Sequence, residues 1–380
     1  MITAAYPYEG SADGVFVREQ CRALSRKGHE VAVLAALGRG RIAQGPNFDF
    51  IEEDGFNCYA SRCFRKATTY FPKTSSRTVL RQIEELFDIC YANGRMPDVL
   101  YAHFAFPAGY AACELGKSKN LPVVVMEHFS GIAQGTIRKG CARIVSDTIT
   151  SADSFYCVSD SLKGALDRIN PSGKRIDVIP DMISGSFCFI TPKKKEEFSF
   201  FSLGMLRKIK GFDVLIKAFC SAFSEEENVR LRIGGSGEEE ESLQRLIKDS
   251  GRGCQIKMLG FLDEAAALRE YGECDCFVLA SRCETFGIVY REALACGRPV
   301  VSTRNGGIEQ GWKADFGVLV DVDDVDALAQ AMRAIRLSYD RYNLEDISSQ
   351  IRQMYSPEII AEEIGEALER VVVRHEEGLS

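Results

Sequence analysis

Short, almost wholly apolar runs alternate with amphipathic helical stretches from one end of this chain to the other, and no other feature limits its fold so tightly. Strand candidates in the first half are Val31–Leu34, Val99–Ala102, Val123–Met126, Phe155–Val158 and Asp177–Ile179. In the second half they are Phe198–Leu203, Val229–Ile233, Gln255–Leu259, Cys276–Leu279 and Val300–Ser302. Between them lie helical patterns at Val15–Arg26, Thr78–Tyr91, Phe212–Phe223, Glu238–Ser250, Glu264–Tyr271, Val289–Cys296 and Val325–Ser338. In Phe212–Phe223, for example, Phe212, Leu215, Ile216 and Phe219 fall on one face at helical spacing. Apolar strands without polar alternation are covered on both faces, which makes them parallel sheets with helices packed on either side.

At 380 residues the chain exceeds what one hydrophobic core supports. Two doubly wound α/β domains are expected, 1–185 and 186–355, facing each other across a cleft. The polar stretch Pro192–Glu197 opens the second, and a helix over Ser356–Arg374, within 356–380, is expected to brace the two halves. Ligands of such sheets sit beyond the carboxyl ends of the strands, so the loops there are where chemistry is sought.

Charge and composition narrow the function. Net charge is −7, with 22 basic and 20 acidic residues before position 186 and 25 and 34 after it, a balance that disfavours a nucleic-acid partner. One run departs from it: Arg62, Arg65, Lys66, Lys73, Arg77 and Arg81 alternate with Phe64, Tyr70 and Phe71, and no acid occurs from Gly55 to Ile83. This run is expected to meet an anionic membrane surface or a lipid-diphosphate, although a solvated surface has the same composition. The 14 cysteines include no Cys-x-x-Cys pair, and none sits with a histidine at zinc spacing. They are expected to be small buried hydrophobes in a reducing cytoplasm, without a structural metal. No apolar run approaches the length of a membrane span, and no leader peptide is apparent.

Three strand-to-helix loops carry candidate chemistry. Ser281–Pro299 places Glu284 before a helix and Glu292 inside it, with Thr285 as the expected cap and the amides of Phe286, Gly287 and Ile288 at the helix start. Two carboxylates so spaced can hold two parts of one ligand, and a helix start favours an anionic or hydroxyl-rich one. A capped helix with a solvated Glu fits the same spacing. Leu203–Gly211 offers Arg207, Lys208 and Lys210, cations able to neutralise a leaving diphosphate or simply to face solvent. Gly234–Gly237 imitates a dinucleotide fingerprint, but Glu240 occupies the third glycine's place and four consecutive glutamates would repel phosphate. In the first half, Gly14 permits close backbone approach, while His103 and His128 end strands, where a histidine is more often structural than catalytic.

With the Glu284/Glu292 pair and the basic loop in view, the chain resembles the retaining glycosyltransferases of family 4, which have the GT-B fold. The segments FFSLGMLRKIKGFDVLIKAF, LRIGGSGEEEESLQRLI and IKMLGFL carry the likeness, together with the E-x7-E segment followed by Gly297-Arg298-Pro299, Gly306-Gly307 and Glu309, over about residues 198–335. GVFVREQCRALSRKGHEVAVL, DVLYAHFAFPAGYAA and VVVMEHFSG match more loosely and are similar to bacterial exopolysaccharide and lipopolysaccharide enzymes.

The resemblance implies that Lys210 binds the donor diphosphate and Glu292 the ribose. Glu284, with the backbone at Phe286 and Gly287, would hold the donor sugar. Gly14 would lie by phosphate or acceptor, His128 by the sugar, and the base near Gly235 and Leu259–Phe261. It implies metal-independent, retaining transfer of a hexose or N-acetylhexosamine from a nucleotide diphosphate sugar to a surface-glycan or lipid-linked acceptor, with no cofactor. The expected location is cytoplasmic, peripheral at the inner membrane face. Two departures qualify it: Gly204-Met205 stands where relatives have Gly-Arg, leaving Arg207 as the substitute, and Asp181 stands where they have Asn. Met1-Ile2-Thr3 is short for a first strand, which fits a truncated strand or a start further upstream. A GT-B sugar-nucleotide epimerase and a non-catalytic sugar-nucleotide-binding subunit remain the alternatives.

Overall fold

The computed structural model describes residues 1–7, 14–37, 48–61, 70–92, 94–193 and 195–378. They form two compact units, Met1–Met182 with Pro357–Ser380, and Ile183–Ser356.

In the first unit the chain runs β1 (Ile2–Thr3), α1 (Val15–Arg26), β2 (Ala32–Ala36), β3 (Phe48–Glu53), β4 (Phe56–Ser61), α2 (Pro72–Tyr91), β5 (Leu100–His103) and α3 (Tyr110–Lys119). It continues with β6 (Val123–Glu127), α4 (Ser130–Ala133), α5 (Lys139–Ser151), β7 (Ser154–Cys157), α6 (Asp160–Asp167) and β8 (Asp177–Val178). The sheet order is β3-β4-β2-β1-β5-β6-β7-β8, parallel throughout except where β3 returns antiparallel to β4. β1 is two residues long yet central, and Ile2 and Thr3 are fully buried. The β3–β4 hairpin was not apparent in the sequence because β3 is a half-exposed edge strand carrying Asp49, Glu52 and Glu53. Helix α2 begins six residues before the expected Thr78, with Pro72 in the first turn, where its fixed φ and missing N–H cost nothing.

The second unit comprises β9 (Phe198–Leu203), α7 (Phe212–Ala222), β10 (Val229–Gly234), α8 (Glu240–Asp249), β11 (Ile256–Gly260), α9 (Glu264–Glu273) and β12 (Cys276–Leu279). It ends with α10 (Ile288–Ala295), β13 (Val300–Thr303), β14 (Gly317–Val320), α11 (Val325–Leu337) and α12 (Leu344–Tyr355). The last helix, α13 (Pro357–Glu376), belongs to the first unit, where it packs on α1 and Lys27 Nζ meets Glu362 Oε2 at 2.9 Å.

The second sheet is wholly parallel, in the order β11-β10-β9-β12-β13-β14. Phe200, Phe201, Phe277, Leu279 and Val301 fill its core, and the helical stripe Phe212, Leu215, Ile216 and Phe219 is completely covered. Side-chain caps set several starts: Ser159 for α6, Asp263 for α9, Asp324 for α11 and Asn343 for α12 each accept from a first-turn amide. Both sheets are doubly wound. Strand order reverses between β1 and β5 in one and between β9 and β12 in the other, the places where such folds bind ligands.

Candidate active site

Five of the six strands of the second sheet, all but β14, carry a residue singled out from the sequence at or just beyond their carboxyl ends. In spatial order these are Leu259 and Phe261 after β11, Gly235 after β10, Arg207 and Lys210 after β9, Glu284 to Gly287 after β12, and Gly307 after β13. With strands about 4.8 Å apart, the row spans about 19 Å, a track suited to an elongated ligand. At one end Phe261 is 59% exposed, and the Gly235 amide donates to Gly260 O at 2.7 Å, so the two loops proposed for the base are joined.

At the reversal point Lys210 and Glu284 are paired with each other. Lys210 Nζ lies 2.7 and 2.8 Å from the two Glu284 carboxylate oxygens, and Ser281 Oγ donates to Oε1 at 2.7 Å. Glu284 is almost wholly buried. Arg282, which sequence reasoning passed over, holds these two loops together. Its amide donates to Ile209 O at 2.7 Å, its guanidinium bonds the Lys208 carbonyl, and it forks onto both Asp213 oxygens at 3.1 Å. Arg207 and Lys208 extend into solvent with no acidic partner among the described residues, and Met205 is half-exposed.

Helix α10 does not start from Thr285. Gly287 is the cap residue, with φ 77° and ψ 63°, a left-handed conformation that would strain any residue with a Cβ. No acceptor among the described residues meets the amides of Phe286, Gly287 or Ile288. One turn further on, Glu292 accepts from Tyr271 Oη at 2.9 Å. Burial of its carboxyl pushes the pKa up to about 7 despite that bond.

In the first unit His128 follows β6 and is buried, with both ring nitrogens turned inward. Nε2 is 3.0 Å from His103 Nδ1. Nδ1 stands 3.3 Å from Asp181 Oδ1, near enough for charge attraction but out of line for a hydrogen bond. Asp181 in turn receives Gln20 Nε2 at 3.5 Å, and Tyr101 Oη donates to Gln20 Oε1 at 3.0 Å. Phe16 covers the pair, its ring centroid 4.4 Å from that of His128. Burial, with His128 nearby, holds the His103 pKa well below the usual range, and its Nε2 has no partner among the described residues. Glu127 fixes the backbone here by accepting from the amides of Ala105, His128 and Phe129 at 2.7–2.8 Å. His103 is legible in the sequence as a strand-end histidine; Glu127, Gln20 and Tyr101 carry no sequence signal beyond falling within or beside apolar runs.

Gly14 also has φ in the left-handed region, at 79°, and a Cβ there would lie 2.3 Å from Ala5 O. The chain's own backbone therefore requires this glycine, whatever ligand it adjoins. Of the basic run, Arg62, Phe64, Arg65 and Lys66 lie outside the described residues. Tyr70 and Phe71 are each 65% exposed, and the Arg138 guanidinium sits 3.8 Å over the Tyr70 ring. A concavity of about 580 Å³ in the same unit, bordered by Tyr156, Lys174, Arg370 and Arg374, contains none of the candidate residues.

Two family models match the chain, Glycosyltransferase Family 4 over residues 14–184 and Glycosyl transferases group 1 over 187–354. The chain belongs to the family 4 glycosyltransferases. It is thus a GT-B glycosyltransferase acting on nucleotide sugars. It is 26% identical to N-acetyl-alpha-D-glucosaminyl L-malate synthase of Bacillus anthracis, over 92% of this chain and 94% of that one. Sucrose-phosphate synthase of Thermosynechococcus elongatus shares its fold with a TM-score of 0.79 at 20% identity, covering 94% and 93% of the two chains. HepE of Anabaena, solved with UDP and glucose, does so with a TM-score of 0.72 at 17% identity over 97% and 98%. No helix among the described residues is long and apolar enough to cross a membrane.

Proposed function

We propose that this family 4 glycosyltransferase moves a hexose or N-acetylhexosamine from a nucleotide diphosphate sugar to an alcohol on a surface glycan or lipid-linked acceptor, with retention and without a catalytic metal. The observation that carries the reading is the row of loops along the second sheet. An exposed aromatic and glycine loops lie at one end, cations at the reversal point, and a buried carboxylate with unpaired amides beyond them. Base, diphosphate and sugar occur in that same order in such a donor. The HepE complex with UDP and glucose makes UDP the first nucleotide to test.

In this reading Phe261, Leu259 and Gly235 border the base, and Glu292 accepts from the ribose hydroxyls. Lys210 and Arg207 receive the diphosphate. Glu284 then accepts from sugar hydroxyls while the amides of Phe286 and Gly287 donate to the ligand. As the anomeric C–O bond to the diphosphate breaks, charge grows on the departing oxygen, where fixed cations and amides stabilise it most. The acceptor oxygen attacks from the same face, and its proton passes to the leaving phosphate. His128, its ring held by His103 and Asp181, is the residue this reading assigns to the sugar. Gly14 borders the phosphate or the acceptor.

The first unit offers the acceptor side a basic, aromatic surface. Tyr70, Phe71, Lys73, Arg77, Arg138 and Lys139 are all exposed, and none of these cations has an acidic partner among the described residues. That surface suits an anionic membrane face on which a lipid-linked acceptor would lie.

Thermal-shift titration with UDP-, GDP- and ADP-sugars tests the donor, because a ligand bound only by the folded state raises the melting temperature. Product NMR with the donor so identified should show the anomeric configuration kept. Inverted product would refute retention, and conversion of the donor sugar without any acceptor would identify an epimerase instead.

A further inference from the structure

Arg291 is among the most deeply buried side chains of the protein, 2% exposed, and no carboxylate lies within ion-pairing distance of it among the described residues. Burial pulls its pKa below the usual arginine range. Arg291 donates to backbone carbonyls of two loops. Nη1 donates to Phe286 O and, at 3.4 Å, to Gly287 O; Nη2 donates to Gly307 O at 2.8 Å, Ile308 O at 3.4 Å and Gln310 O at 2.7 Å. The plane also lies 4.3 Å from the Phe286 ring centroid. A cation withdrawn from water without a counter-ion costs several kcal/mol that carbonyl dipoles offset only in part.

The orientation of those carbonyls has a consequence on the other side of the loop. In a trans peptide the C=O of one residue and the N–H of the next point in opposite directions, and both peptides here are trans. By drawing the Phe286 carbonyl towards itself, Arg291 turns the Gly287 amide away; the Gly287 carbonyl it shares with the Tyr290 amide, at 3.2 Å, so the Ile288 amide is turned away by Arg291 and the helix start together. Those are two of the amides that no acceptor meets.

We propose that Arg291 is a positioning residue for the outer half of the donor. It aims the Gly287 and Ile288 amides at the terminal phosphate and sugar, and its charge, set behind them, is the positive centre that the nucleotide diphosphate neutralises. This rests on the donor reading above and adds a residue that touches no ligand. The prediction is selective: Arg291 governs recognition of what lies beyond the first phosphate and leaves base and ribose recognition alone.

The experiment compares UMP and UDP affinities by calorimetry, with the ADP/AMP and GDP/GMP pairs alongside, for wild type, Arg291→Met, Arg291→Gln and Arg291→Lys. Near-UV circular dichroism confirms folding of each. In Arg291→Met the preference for diphosphate over monophosphate should fall at least tenfold, while monophosphate affinity stays within about threefold of wild type. Arg291→Lys should recover much of the preference, and Arg291→Gln, which restores donors without charge, less. Should the Met variant fail to fold, Gln against Lys decides, since they differ in charge. An unchanged diphosphate preference in a folded neutral variant overturns the inference. Wild-type protein that binds none of these nucleotides overturns the donor reading and this inference with it.

Discussion

Lys210→Met separates the two roles that the Lys210–Glu284 pair combines. In the folded protein the ammonium contacts both carboxylate oxygens, at 2.7 and 2.8 Å, and the side chains retain 19% and 9% exposure. Removing one member of a buried pair strands the other, at about 3–5 kcal/mol. Ser281 still donates to Oε1, and the lysine end is partly solvated, so the low end applies, about 3 kcal/mol. For a unit of this size that corresponds to a fall of roughly 6–12 °C in melting temperature. Glu284→Gln in the same chain removes the stranded charge and should restore most of that loss. Activity should behave differently, because a cation facing a leaving diphosphate is worth roughly 10²–10³ in rate. The double variant should therefore melt close to wild type and remain inactive. Scanning calorimetry and a donor-consumption assay on the four proteins of the cycle read both quantities. Lys210→Met melting within 2 °C of wild type (about 0.7 kcal/mol) would refute the energetic argument, and activity returning with Glu284→Gln would refute the role given to the lysine.

Four further outcomes follow from the site and the basic surface of the first unit. Glu292 is raised from its ordinary value to about 7 by burial, so its ionised form gives way to the neutral acid as pH falls through 7; donor KM should rise there and flatten in Glu292→Gln. The sign for stability is opposite. A folded-state pKa above the unfolded one means the folded protein gains protons first, so this group's contribution is full below about 4.5 and is lost by about pH 7, at most roughly 3 kcal/mol, measurable by urea unfolding of wild type against Glu292→Gln. Gly307→Ala would set a Cβ 2.7 Å from Glu284 Cβ and 2.9 Å from the Phe286 amide nitrogen, so it should cost about 1–3 kcal/mol and weaken donor binding at least tenfold by calorimetry. Lys73→Glu, Arg77→Glu and Lys139→Glu together should lower partition onto phosphatidylserine vesicles at low salt by roughly two orders of magnitude, at about 1 kcal/mol per site, with sedimentation as the readout; unchanged partition removes the membrane proposal.

The fold was legible where burial was complete. Phe198–Leu203 and Cys276–Leu279 appear with the bounds read from the sequence, because central parallel strands are covered on both faces and run mostly apolar, interrupted here by Ser199 and Ser202 alone. β3 and β14 were missed for the converse reason: both are edge strands of partial exposure, β3 carrying three acids and β14 only the short run Val318–Val320. The site was legible as residue types at strand ends, since the alternating pattern itself puts Lys210, Glu284 and Gly235 on one edge. Its partnerships were not. Lys210 and Glu284 are 74 positions apart, Gln20 and Asp181 are 161 apart, and nothing local in either segment foretells the other. Thr285 failed as a cap because φ at Gly287 admits a residue without a Cβ, and this outweighs a hydroxyl two positions earlier.

Pairing of Lys210 with Glu284 also sets the order of events when a donor arrives. At 2.7–2.8 Å and an effective dielectric near 20 the pair is bound by about 6 kcal/mol of Coulomb energy. A diphosphate carrying two negative charges at the same distance offers about twice that, so the lysine gains by exchanging partners while Glu284 is left to accept hydroxyl protons. A nucleoside alone offers no such gain and should leave the pair closed. On the proposed donor site, the carboxylate released by the phosphate is the same one assigned to the sugar, which would couple recognition of the two halves of the donor through a single ion pair. A nucleotide diphosphate without its sugar should leave the freed carboxylate without hydroxyls to accept from, and should bind more weakly than the intact donor.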